Sequence, residues 1–82
     1  MTKDEIIVKL REIFQMVVHN GVNVDLLDES SDIKLDLGVN SVGLIYIVVA
    51  IEKVFNLDMS NVTMNTFKTV GDVIDYIYEG VN

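Results

Sequence analysis

Apolar residues recur at helical spacing over three stretches of this chain, with polar punctuation between them. The first stretch holds Ile6, Ile7, Leu10, Ile13, Phe14, Val17 and Val18, the recurrence of an amphipathic helix. Thr2 followed three residues on by Glu5 makes a capping box, in which each side chain satisfies a backbone N–H of the other. Asn20-Gly21 is a stop signal. Together these predict a helix over about 3–19. Residues 20–40 have no sustained helical period but hold Val22, Val24, Leu26, Leu27, Ile33, Leu35 and Leu37, so this loop is expected to lie across a core. A connection of that length is uncommon in a small domain and tends to carry function.

Asn40 and Ser41 are both good N-cap residues. After them Leu44, Ile47, Val48, Ile51, Val54 and Phe55 form a buried stripe ending near Asn56, which predicts a helix over about 41–56. The β-branched residues of 44–51 also suit a buried strand. The pattern runs on through Phe55, too long for an ordinary strand, and a capping signal precedes it. Val42, Ile45, Tyr46 and Val49 fall on the remaining surface, where only Glu52 and Lys53 carry charge. Either this helix is enclosed or its outer face meets a partner. Val62, Met64 and Phe67 anchor a short helix over about 60–67. Thr69 with Asp72 is a capping-box variant, and Val70, Val73, Ile74 and Ile77 give a last helix over about 70–79 that stops at Gly80. The expected fold is all-α: a single domain over 1–82, a four-helix bundle with a long first loop, a short third helix and no internal repeat.

At 82 residues the chain is near the lower limit for a core without staples, but half of it is apolar, which is enough. There is no cysteine, which excludes disulfides, thiolate metal sites and a cysteine nucleophile. Charges at Lys3, Asp4, Glu5, Lys9, Arg11 and Glu12 break the apolar run that a signal peptide or membrane span needs, so a soluble, cytoplasmic protein is expected. Six basic against 13 acidic residues give a net charge of -7, which disfavours nucleic acid and anionic membrane as partners and favours a basic protein surface. Asp25, Asp28, Glu29, Asp32 and Asp36 cluster with only Lys34 to offset them. On charge pattern alone that run reads as a solvated loop.

Convergent catalytic groups are scarce. His19 is the one histidine, and beside Asn20-Gly21 its ordinary role is an interaction with a helix C-terminus. As a calcium loop starting at Asp28, the acidic run would put Ile33 where glycine is required. No metal site and no glycine-rich phosphate loop is expected. Ser41 remains, and its plain reading is an N-cap.

The residues around it, Asp36-Leu37-Gly38-Val39-Asn40-Ser41-Val42, resemble the attachment motif of acyl carrier proteins, in which an Asp-Leu-Gly lead-in and an Asp-Ser-Leu triplet open the second helix. Ala50-Ile51-Glu52, Phe55, Thr69-Val70 and Ile74-Asp75-Tyr76-Ile77 stand at the family's spacings. The resemblance implies that Ser41 bears 4'-phosphopantetheine, donated by coenzyme A through a phosphopantetheinyl transferase, with Asp36, Leu37, Gly38, Asn40 and Val42 as the motif around it. It implies a non-catalytic monomer that holds acyl groups as thioesters for acyl-transferring, condensing or ligase-type enzymes. A phosphodiester at Ser41 would sit at a helix N-terminus, which favours negative charge.

The chain departs from the family at Asn40, where an acid is usual, and at Gly43, Tyr46 and Lys53, while Glu52 persists. Recognition is therefore expected to rest on a patch of Val42, Ile45, Tyr46 and Val49 with Glu52, and the acidic loop to supply steering. Met59, Met64 and Phe67 stand where the family lines an acyl-chain pocket, and methionine suits an adaptable one. Acidity and the Met-lined third helix fit fatty acid synthesis. Asn40 and the acid-poor second helix favour a stand-alone carrier in polyketide or nonribosomal peptide assembly. A D-alanine-type aminoacyl carrier and an unmodified four-helix adaptor are the alternatives, though an adaptor has no reason to set glycine three residues before an exposed serine.

Overall fold

The computed structural model describes residues 1–18, 23–62 and 66–81. α1 (Lys3–Val17) begins where the capping box puts it. Thr2 Oγ1 accepts the Glu5 N–H at 3.2 Å, and Glu5 Oε1 accepts the Thr2 N–H at 3.1 Å. It ends before the predicted boundary, because Val18 turns to an extended conformation, its N–H on Phe14 O, and buries its side chain in the core. A β-branched residue gives up little by leaving a helix, and burial decides its course. His19 and the Asn20-Gly21 signal lie outside the described residues.

α2 (Ser41–Phe55) ends on Asn56, which takes the left-handed conformation at φ 55° and donates its N–H to Glu52 O, a role asparagine fills more readily than most residues. α3 (Val70–Val81) starts on a reciprocal cap. Thr69 Oγ1 accepts the Asp72 N–H at 3.2 Å, and Asp72 Oδ2 accepts the Thr69 N–H at 3.1 Å. The expected stop at Gly80 is corrected. The helix runs through Gly80, whose φ is not positive, and a glycine ends a helix only where the chain turns left-handed.

α1 packs against both α2 and α3 and against a 3-10 turn at Val24–Leu26. Ile6, Leu10, Ile13 and Phe14 of α1 meet Leu44, Ile47, Ile51 and Phe55 of α2 and Val70, Val73, Ile74 and Ile77 of α3 in one cluster. Burying each such side chain is worth about 1.5–3 kcal/mol, so the helical stripes are the main source of stability. Val54, assigned to the buried stripe of α2, is instead nearly half exposed, because it lies off the Leu44–Ile47–Ile51–Phe55 line.

The long loop closes the bundle with Val24, Leu27, Ile33 and Leu37. Leu26 and Leu35, expected in the core, face outward. Both sit in tight turns that send only part of their residues inward. In the second turn, Asp32 Oδ1 accepts the Lys34 and Leu35 N–H groups at 2.8 Å each, Asp36 Oδ2 accepts the Asp32 N–H at 2.6 Å, and the Asp36 N–H returns to Asp32 O. Ile33 and Leu37, four apart on that turn, face the core and Leu35 between them does not.

A backbone clasp ties this loop to the start of α3. The Ile33 N–H donates to Lys68 O, Val70 to Ser31 O and Gly71 to Glu29 O, at 2.9–3.0 Å. A Cβ on Gly71 would stand 2.9 Å from Glu29 O, so the clasp closes only over glycine. Arg11 Nη2 adds a bond from α1 to Leu27 O at 3.0 Å.

Among the described residues there are three α-helices. Residues 60–62 and 66–67 of the expected short helix form turns and irregular chain, and 63–65 lie outside the described residues. Asp58 Oδ1 accepts the Ser60 N–H at 2.9 Å, a side-chain turn that competes with helix formation.

Candidate functional site

The chain enters α2 through Gly38, at φ +67°, a left-handed conformation that glycine adopts without strain. A Cβ at Gly38 would have no neighbour within 4 Å, so the backbone conformation, not crowding, selects glycine, and open space lies beside it. Leu37 before it is buried and Val39 after it is half-buried, which fixes the path of the turn.

That path makes Asn40 the N-cap. Its Oδ1 accepts the Gly43 N–H at 2.9 Å, and its carbonyl accepts the Leu44 N–H at 2.9 Å. Ser41 is therefore the first helical residue, its side chain exposed and its hydroxyl without a partner among the described residues. The plain reading of Ser41 as a cap is excluded, because Asn40 does that work. The first turn of α2 carries no acidic residue, so the positive end of the helix dipole is uncompensated.

Lys34, Val39, Asn40, Ser41 and Leu44 line a cavity of about 240 Å³ at this point. Its described lining has a free hydroxyl, one cation and no carboxylate. A phosphodiester-linked group on Ser41 fits that donor set, and the clear space at Gly38 gives such a chain room to lie back. Lys34 is the residue sequence reading undervalued. It counted there only as an offset to nearby acids, and nothing local in the sequence places it at the cavity.

The other motif residues hold the backbone. Asp36 is committed to the turn at Asp32, and Leu37 to the core. Val42, Ile45, Tyr46 and Val49 form an exposed stripe running up α2 from the residue after Ser41, at 74, 56, 58 and 43% exposure. Glu52 is drawn aside, half-buried, with its carboxylate accepting the Met59 N–H at 3.3 Å. Met59 and Phe67 are buried in the core, and Phe67 packs edge-on to Tyr76 with ring centroids 5.6 Å apart. Met64 lies outside the described residues.

The acidic loop is more structured than a solvated run. The Ser30 hydroxyl and then its N–H donate to Asp28, holding that carboxyl below its ordinary value. At α3 the Lys68 and Thr69 N–H groups lower Asp72 in the same way. These bonds favour the charged form, so the loop keeps its charge and uses it locally.

The sequence profile described as Phosphopantetheine attachment site matches residues 8–77. The chain belongs to this family. Its cofactor is 4'-phosphopantetheine. Among relatives of the acyl carrier type, the acyl carrier protein of Acidothermus cellulolyticus is 32% identical over 77 residues, 94% of this chain and 89% of that one. That of Clostridium perfringens (strain 13 / Type A) is 34% identical over 71 residues, covering 87% and 91%. The acyl carrier protein of Phytoplasma mali is 38% identical over 52 residues, 63% of this chain, and the match spans only 62% of that relative's length. The match to the Phytoplasma australiense protein likewise spans 55% of its length. No helix of the described residues is long and apolar enough to cross a membrane.

Proposed function

We propose that Ser41 is the attachment residue and that the chain holds acyl groups for partner enzymes, serving as their substrate rather than as a catalyst. The observation that carries this reading is the exposed Ser41 hydroxyl at the first position of α2, released from capping by Asn40. When bound, the arm supplies a thiol on which acyl groups are held as thioesters. Ser41 presents its oxygen, Gly38 clears the approach, and the open first turn receives the negative charge. The described cavity lining has neither imidazole nor carboxylate to take the serine proton, so that step falls to a partner transferase.

The test is intact mass after incubation with coenzyme A and a promiscuous phosphopantetheinyl transferase. The wild type is expected to gain one arm and Ser41→Ala none. No gain in a folded wild type, beside a working control carrier, would favour the unmodified adaptor.

The name shared by the relatives supports acyl over D-alanyl cargo. The neutral Asn40 and the apolar stripe on α2 support a stand-alone carrier of polyketide or nonribosomal peptide assembly over one of fatty acid synthesis. On this reading Val42, Ile45, Tyr46 and Val49 dock the partner through apolar contact. Tyr46→Glu is expected to cut transfer about tenfold or more, the loss of a central aromatic contact, with little salt dependence. Normal transfer by the variant with steep salt inhibition would sink the patch. Met59, Met64 and Phe67 are proposed to receive the cargo, the core around Met59 and Phe67 parting for it. Amide exchange near Phe67 unchanged by a medium-length acyl load would count against it.

A further inference from the structure

We infer that Lys34 is a binding residue of the attachment site, its ammonium pairing with the phosphodiester formed on Ser41; this rests on the reading of Ser41 as the attachment residue. Lys34 and Ser41 line one cavity with Val39, Asn40 and Leu44. In a chain with 13 acids and six bases, the described lining of that cavity has a lysine and no carboxylate. The acids nearest Lys34 in the chain are turned to other work. Asp32 Oδ1 accepts the Lys34 and Leu35 N–H groups, and Asp36 Oδ2 accepts the Asp32 N–H.

The other bases stand elsewhere. Lys3 pairs with Asp75, Arg11 bonds Leu27 O, Lys9 lies on α1, Lys53 near the far end of α2 and Lys68 before α3. The Lys34 ammonium has no ion-pair partner among the described residues. Its backbone is nonetheless held, since Ile33 is buried and clasped to Lys68 O. A long, exposed side chain on a fixed stem beside an open helix N-terminus suits a singly charged phosphodiester, which needs one counter-charge and not a cage.

The test is NMR of the lysine side chains in the unloaded and loaded protein, with loading checked by mass. Asp32 and Asp36 are present in both forms, so the difference reports the new charge. The Lys34 Nζ resonance is expected to shift on loading, the response to a negative charge placed at the cavity that Lys34 and Ser41 both line. The difference should shrink in ~1 M salt, and Lys9 and Lys53 should not move. Lys34→Gln is expected to load fully yet shift the phosphorus resonance of the loaded protein. An unchanged Lys34 resonance, or a phosphorus signal indifferent to Lys34→Gln, overturns the assignment while leaving Ser41 intact. A wild type that gains no arm mass overturns both.

Discussion

α1 and α3 open on reciprocal capping boxes, whereas α2 opens on a one-way cap. At Thr2/Glu5 and Thr69/Asp72 each side chain answers the other's backbone, and an acid sits in the first turn. At α2 only Asn40 caps, the first turn has no acid, and the hydroxyl of the residue at its head has no partner among the described residues. In a chain of net charge -7 that lack of acid is conspicuous. Two helix starts are closed by the protein's own charges, and the third is left open.

The contrast breaks most sharply at Ser41. Ser41→Ala is expected to lose arm loading entirely by mass while changing stability by no more than ~0.5 kcal/mol, as for an exposed position with no partner. The caps should behave the opposite way. Asn40→Ala and Thr69→Ala are each expected to cost about 1 kcal/mol, a fall in Tm of roughly 4–8 °C for a domain of this size, and Thr69→Ala should still load.

Loading itself should sharpen the comparison. A phosphodiester at the open start of α2 is expected to stabilise the fold by about 0.3–1 kcal/mol at low salt. Asn40→Asp should capture much of that gain before loading and leave less to be gained on loading, because two negative charges then share one helix end. Equal gains in both proteins would show that the open turn does not sense the arm.

The smallest effect concerns acid. Lys68 and Thr69 N–H groups hold Asp72 below its ordinary 3.8, and Thr2 holds Glu5 below 4.5. A carboxylate lowered in the fold contributes stability above its unfolded value and loses it as pH falls through the lowered one. Urea midpoints should therefore decline on acidification below about pH 4, and less steeply in Asp72→Asn. If the two curves ran parallel, the cap of α3 would not be acting through its charge.

The parts legible in the sequence are those set by neighbours along the chain. The stripes of α1, α2 and α3 and both capping boxes depend on residues three and four apart, and they stand where their pattern puts them save for Val54 and the last turns of α1 and α3. What escaped depends on the path of the backbone between elements. Asn40 and Ser41 are equally competent caps, and only the left-handed step at Gly38 decides which of them faces the helix end. Leu26 and Leu35 look like core residues by type, but the turns that carry them are built by Asn23, Asp32 and Asp36 accepting backbone N–H groups. Lys34 reaches the cavity because the chain folds back over seven residues, which no periodicity records.

The clasp between the long loop and the start of α3 has a kinetic consequence. Its hydrogen bonds join segments about 40 residues apart in the chain, and such a closure carries an entropic cost before any contact rewards it. The helices are free to form early, but Ile33 and Leu37 cannot be sealed over the core until that registration is found. Refolding is therefore expected to be timed by the closing of this one seam, so that Gly71→Ala, which obstructs it, should slow refolding while an exposed change on α1 such as Gln15→Ala does not.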